Sequence, residues 1–97
     1  MDIGKKMQEI CALGSLLYSR GFDPANPSDS VLYGIRIGIH VPPFQDSLDY
    51  YVWLYGDYND HVRKGVDIPN TSVLSFISLD DALDQLLLKL QKINCIR

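Results

Sequence analysis

The 97-residue chain can bury one hydrophobic core and is too short for two, so we expect a single domain over residues 1–97. Its composition, 46% hydrophobic and 22% charged, is typical of a globular protein and argues against an intrinsically disordered one. Its net charge of −3, with only nine lysines and arginines spread along the chain, disfavours a nucleic-acid partner.

The first predicted element is an amphipathic helix over residues 2–20. Its apolar residues recur at intervals of three and four, as on the buried side of a helix. These are Ile3, Met7, Ile10, Cys11, Gly14, Leu17 and Tyr18. Gly14 costs ~1 kcal/mol relative to alanine inside a helix and therefore predicts close packing against another backbone. Gly21 provides the C-terminal stop, and the two prolines in residues 23–30 predict a loop.

Two strands are predicted next, at about residues 31–41 and 48–56. In the first, every odd position is apolar, whereas the even positions are Leu, Gly, Arg, Gly and His; the second is apolar on both faces. An alternation with period two predicts an antiparallel hairpin. If the connecting loop places Val41 opposite Leu48, the register of the whole hairpin follows. Its inner face then pairs Ile39 with Tyr50, Ile37 with Val52 and Ile35 with Leu54.

The same register gathers aromatic rings on the outer face of the hairpin. It pairs His40 with Asp49, Gly38 with Tyr51, Arg36 with Trp53 and Gly34 with Tyr55. A ring lying across a glycine shields the bare backbone. A guanidinium over the Trp53 indole gains ~0.5–2 kcal/mol from cation–π attraction. We call these eight residues the aromatic face and treat them as the candidate interface or ligand-binding residues.

The remaining chain completes an α+β fold. Residues 56–71 are rich in turn-forming residues and allow a short extended piece at 66–68, and residues 73–77 form a third predicted strand. Ser78 then caps a second helix, with Asp81 completing a weak capping box. Its core stripe is Leu79, Ala82, Leu83, Leu86, Leu87, Leu90 and Ile93. The predicted order is αβββα, a small antiparallel sheet with the N-terminal and C-terminal helices packed mainly on one face.

What covers the aromatic face decides the function. Two helices ~10 Å in diameter cover one side of a sheet roughly 14 Å wide, which leaves the rings bare on the other side. Three large rings present on the order of 450–750 Å², about the largest apolar patch that a monomer tolerates. A second copy of the chain, or another protein, would cover this patch. In a second arrangement the helices divide between the faces and the rings are plain core; in a third, they form the wall of a ligand pocket.

No motif in the chain predicts catalysis, a metal site or a cofactor. Gly34 and Gly38 lie inside a strand, whereas a dinucleotide loop needs its glycines where a strand turns into a helix. His40 and Asp49 suit proton transfer only beside a nucleophile, and the sequence identifies none, so an exposed ion pair is expected. The acidic loop that begins at Asp57 lacks the glycine and glutamate of a calcium loop.

The expected setting is the cytoplasm. No run approaches the ~20 apolar residues of a membrane helix, and the N-terminus does not resemble a secretory signal. Cys11 and Cys95 are expected to stay reduced. The sequence therefore predicts a non-catalytic interaction module that forms homodimers through the aromatic face. The alternative is a protein that binds a small molecule or peptide on the same rings, with His40 and Asp49 at the polar end of the pocket.

Overall fold

The chain folds as two helices and a four-stranded antiparallel sheet in a computed structural model that describes residues 2–18, 31–44, 46–58, 63–68 and 71–96. The elements are α1 (Ile3–Tyr18), β1 (Val31–His40), β2 (Asp49–Tyr58), β3 (Arg63–Asp67), β4 (Val73–Ser75) and α2 (Leu79–Ile96). The predicted α+β class is confirmed, with one more strand than expected. The predicted stop at Gly21 and the loop at 23–30 lie outside the described residues.

The hairpin of β1 and β2 has the predicted register, from the pair Gly34–Tyr55 to the pair His40–Asp49. A bulge between Leu32 and Gly34 then shifts the pairing by one residue. As a result Leu32 packs against the core, while Tyr33 contacts the ring of Tyr55 on the outer face. The odd–even pattern had assigned these two residues the opposite way, so that assignment is wrong at this end of the hairpin.

β2 is the central strand, and β3 and β4 share its second edge. β3 pairs with the C-terminal half of β2 and β4 with the N-terminal half. Between them, Leu54 donates its backbone N–H to the Thr71 hydroxyl oxygen at 3.2 Å and accepts the N–H of Ile68 at 2.8 Å. The second edge of β2 has no strand partner between β3 and β4, and there the Thr71 side chain accepts the hydrogen bond that a neighbouring strand would otherwise accept.

Both helices pack on the inner face of the sheet. Ile10 and Leu17 of α1, Val52 and Leu54 of β2, and the buried leucines of α2 form one hydrophobic cluster. This arrangement excludes the alternative in which one helix covers each face. The close packing predicted at Gly14 is confirmed, although its neighbours are side chains rather than backbone: a Cβ there would lie 2.8 Å from Leu54 Cδ1.

Hydrogen bonds fix the helix ends and join the two helices. Asp81 donates its N–H to the Ser78 hydroxyl oxygen at 3.0 Å, which confirms the predicted cap of α2. The Lys6 ammonium lies 2.5 Å from an Asp80 carboxylate oxygen and 2.9 Å from one of Asp84. These hydrogen bonds, first that to Asp80, raise the pKa of Lys6. The Lys6 side chain is only 7% exposed, so its charge is held where α1 meets α2.

The helices do not cover the inner face completely, contrary to the expectation. α1 has 16 residues and β1 has 10, which correspond to about 24 Å and 33 Å. α2, with 18 residues, spans about 27 Å and is also shorter than the hairpin, and apolar residues at the loop end of the hairpin are exposed. We call the exposed apolar residues of this end the hairpin overhang. They are Ile37, Ile39, Val41, Phe44 and Leu48.

Candidate functional site

Three rings of the aromatic face form the floor of an open groove of about 560 Å³. Tyr51, Trp53 and Tyr55 project into it from β2, since alternate residues of a strand point to the same side of a sheet. Val52 and Leu54 point the other way, into the core. Among the described residues that line the groove, none belongs to a helix. A partner can therefore reach all three rings from one side.

The strands on either side of β2 supply the walls of the groove. β1 contributes Arg36, Gly38 and His40 to one wall, and β3 contributes residues 65–67 to the other. With the three rings, six of the eight residues predicted from the sequence line this groove. The structure thus brings most of the predicted site into one surface, and it adds a wall from β3 that sequence reasoning did not assign.

The side chains of Arg36 and Trp53 lean along the sheet instead of lying over each other. Arg36 pairs with Trp53 in the register, yet its Cζ lies 4.0 Å from the ring centroid of Tyr55. The ring of Trp53 lies next to Gly38, where a Cβ would come within 3.6 Å of it. Both contacts are diagonal, two residues away from the direct partner, a distance that aromatic and long side chains can span. The predicted stacking of Arg36 on Trp53 is wrong, and the cation–π contact belongs to Tyr55.

Gly34 is not shielded by Tyr55, as the pairing had suggested. Nothing lies within 4 Å of the position that its Cβ would take. Its role is in the backbone, because its φ of +156° is one that residues with side chains rarely adopt. Tyr55 instead makes an edge contact with Tyr33, with ring centroids 5.6 Å apart. The bulge therefore places a fourth ring, that of Tyr33, beside the rings of the aromatic face.

A hydrogen-bonded cluster fixes this added ring. The Tyr33 hydroxyl donates to one carboxylate oxygen of Asp57, and the Gly65 N–H donates to the other at 2.9 Å. The bond from Tyr33 is the main cause that lowers the pKa of Asp57, and the bond from Gly65 adds to it. The same contact with Asp57 raises the pKa of Tyr33. The cluster thus connects β1, β2 and β3 at the end of the groove away from the hairpin loop.

His40 and Asp49 form the predicted cross-strand pair at the other end. The Nδ1 atom of His40 lies 3.0 Å from a carboxylate oxygen of Asp49. The His40 side chain is 61% exposed and that of Asp49 15%, so the histidine faces solvent. The pair is an ion pair when the imidazole is protonated, and an exposed pair of this kind adds little to stability.

Two charges of opposite sign face each other across the ring floor. Arg36 belongs to β1, and Asp67 of β3 pairs directly with Tyr55, which puts its carboxylate on the same face. Among the described residues, Arg36 makes no ion pair, and Asp67 accepts only a 3.4 Å hydrogen bond from Ser72. Sequence reasoning did not assign Asp67 to the site, because the short extended piece that it allowed at 66–68 had no predicted pairing with β2.

The described part of the chain offers no other recognisable chemistry. It holds no group of three or more histidine, cysteine or acidic side chains placed to bind a metal ion. Cys11 and Cys95 are unpaired thiols, and burial raises the pKa of Cys11. None of the described helices combines the length and the apolar character needed to cross a bilayer.

Comparisons with protein-family models, with curated protein sequences and with solved structures find no match to this chain. A proposal for the function therefore has to follow from the shape, the rings and the charges of the groove.

Proposed function

We propose that this protein is a non-catalytic interaction module that self-associates through the aromatic face. The observation that supports this most is the one-sided packing of the helices, which leaves a row of aromatic rings as an open floor. Tyr33 and Tyr51 are 57% and 42% exposed, although rings of this size favour burial. Contiguous exposed apolar surface of this kind marks contact sites in soluble proteins.

The size of the face favours a reversible dimer. Three strands of ten residues or fewer give a surface roughly 14 Å wide and 33 Å long. Stable interfaces bury about 800 Å² per partner, and smaller ones are weak or transient. A sheet face also pairs well with itself, because two twisted sheets pack face to face with their strands about 30° apart. We therefore expect a homodimer with a dissociation constant in the micromolar range.

The shape of the groove favours one alternative, a peptide or small molecule as ligand. Its volume of about 560 Å³ falls within the range of roughly 300–1,000 Å³ of small-molecule sites. Aromatic-lined grooves also bind extended proline-rich peptides. In this alternative His40 and Asp49 lie at the polar end of the site. A protein that stays monomeric at every concentration favours this function over self-association.

Sedimentation velocity over a dilution series tests the proposal. The wild-type protein should change from dimer to monomer on dilution, and Trp53→Lys should remain monomeric while its circular dichroism shows a folded protein. Tyr51→Lys, at a more exposed ring, serves if Trp53→Lys does not fold. Val41→Lys is the matched control, because Val41 is an exposed apolar residue of the hairpin overhang. The proposal is wrong if the wild type is monomeric throughout, or if only Val41→Lys abolishes the dimer.

The same proposal includes a cytoplasmic location. Both cysteines are unpaired thiols, and Cys95 is exposed, which suits a reducing compartment. A non-catalytic role is consistent with the residues of the groove, whose polar groups are an arginine, a histidine, an aspartate and hydroxyls beside aromatic rings.

A further inference from the structure

We infer that the two copies meet about a two-fold axis parallel to β2, so that Arg36 of each copy faces Asp67 of the other. This inference rests on the proposed self-association and specifies its geometry. It follows from the positions of two opposite charges that have no ionic partner among the described residues of their own chain.

The two charges lie at the same level of the groove, on opposite sides of β2. The Arg36 guanidinium leans over the ring of Tyr55, with Cζ 4.0 Å from the ring centroid. Asp67 is the direct cross-strand partner of that same Tyr55. Since neighbouring strands are ~4.8 Å apart, the backbones of β1 and β3 are roughly 10 Å apart across β2. Tyr55 therefore marks a row with a cation at one edge and an anion at the other.

Symmetry decides which charges meet in a dimer. A two-fold axis that runs along β2, between the two sheets, places β1 of one copy over β3 of the other. Each Arg36 then faces an Asp67 at the same level, once at each edge of the interface. An axis across the strands places β1 over β1, so that Arg36 never faces Asp67; where that axis passes at the level of Tyr55, arginine meets arginine and aspartate meets aspartate. Like charges brought together in this way oppose association, whereas the first arrangement favours it.

The surroundings of both residues suit an intermolecular ion pair. The Tyr55 ring holds the guanidinium in place before a partner arrives, which reduces the entropy lost on binding. A guanidinium also matches a carboxylate with two parallel hydrogen bonds. Asp67 is exposed, and its only contact among the described residues is the long hydrogen bond from Ser72. Neither residue has to break a strong contact to form the pair.

Charge reversal in sedimentation experiments tests this arrangement. Arg36→Asp and Asp67→Arg should each raise the dissociation constant roughly tenfold or more, because each puts like charges face to face. The double variant should return it to within a few-fold of the wild-type value. Lys92→Asp and Glu9→Arg are controls of matching charge change on exposed helix positions, and both should dimerise normally.

The outcomes separate this inference from the function on which it rests. If the wild type dimerises and Trp53→Lys does not, but the double variant is as weak as the single ones, the arrangement is wrong and the proposed function stands. Single reversals that leave the dissociation constant unchanged would also overturn the arrangement. A wild type that never dimerises overturns the proposed function itself.

Discussion

Arg36 lies over the ring of Tyr55, although its cross-strand partner is Trp53. Trp53 leans the opposite way along the hairpin, toward Gly38 and the hairpin loop. The space above a glycine accepts the large indole, and the displaced guanidinium finds the next ring along β2. This shift brings the positive charge level with Asp67 on the far wall of the groove. The opposite leans of Trp53 and Arg36 therefore set the charge pattern of the groove.

Two glycines of β1 should respond in opposite ways to substitution by alanine. Gly34→Ala should destabilise the protein by about 1–3 kcal/mol, since alanine is strained at a φ of +156° even though no atom stands in its way. Gly38→Ala should be neutral or stabilising by less than ~1 kcal/mol. The added Cβ makes ordinary contacts of 3.6–3.7 Å in the folded protein, and it lowers the conformational entropy of the unfolded chain. Urea unfolding at monomeric concentrations measures both.

One result for these two variants would contradict the prediction. Equal destabilisation by both would contradict this account, because only Gly34 has a φ that disfavours a side chain.

The cluster of Tyr33 and Asp57 should make stability depend on pH at both ends of the scale. The pKa of Asp57 is lowered by its hydrogen bonds, so its contribution is complete above the ordinary value of 3.8 and is lost as the pH falls through the lowered value. The pKa of Tyr33 is raised, so its contribution is complete below the ordinary value of 10.0 and is lost as the pH rises through the raised one.

Tyr33→Phe isolates this contribution, because it removes the hydroxyl and keeps the ring. At neutral pH the variant should be less stable than the wild type, and the difference should shrink below pH 3.8 and above pH 10.0. Urea unfolding at pH 3, 7 and 11, roughly, provides the comparison. A stability difference that is the same at all three values would contradict the role given to this hydrogen bond.

Sequence reasoning predicted the hairpin register and the identity of the two faces, because period-two alternation and a short loop leave few other pairings. It missed the bulge at Tyr33 and Gly34, because a glycine in a strand is consistent both with an aromatic ring packed over it and with an unusual backbone φ. It allowed only a short extended piece at 66–68 where β3 runs over Arg63–Asp67, because glycine and aspartate are common in turns. The lean of Arg36 depends on side-chain torsions that strand pairing does not determine. The hairpin overhang, by contrast, follows from element lengths and could have been anticipated.

The fluorescence of Trp53 tests the central claim most directly, because it is the only tryptophan in the chain and lies on the floor of the groove. Emission spectra should be recorded across the same dilution series as the sedimentation data. If a second copy covers the aromatic face, the emission should shift to longer wavelength on dilution, in step with the change from dimer to monomer. A dimer that dissociates with no change in the Trp53 spectrum would place the interface elsewhere and contradict the account.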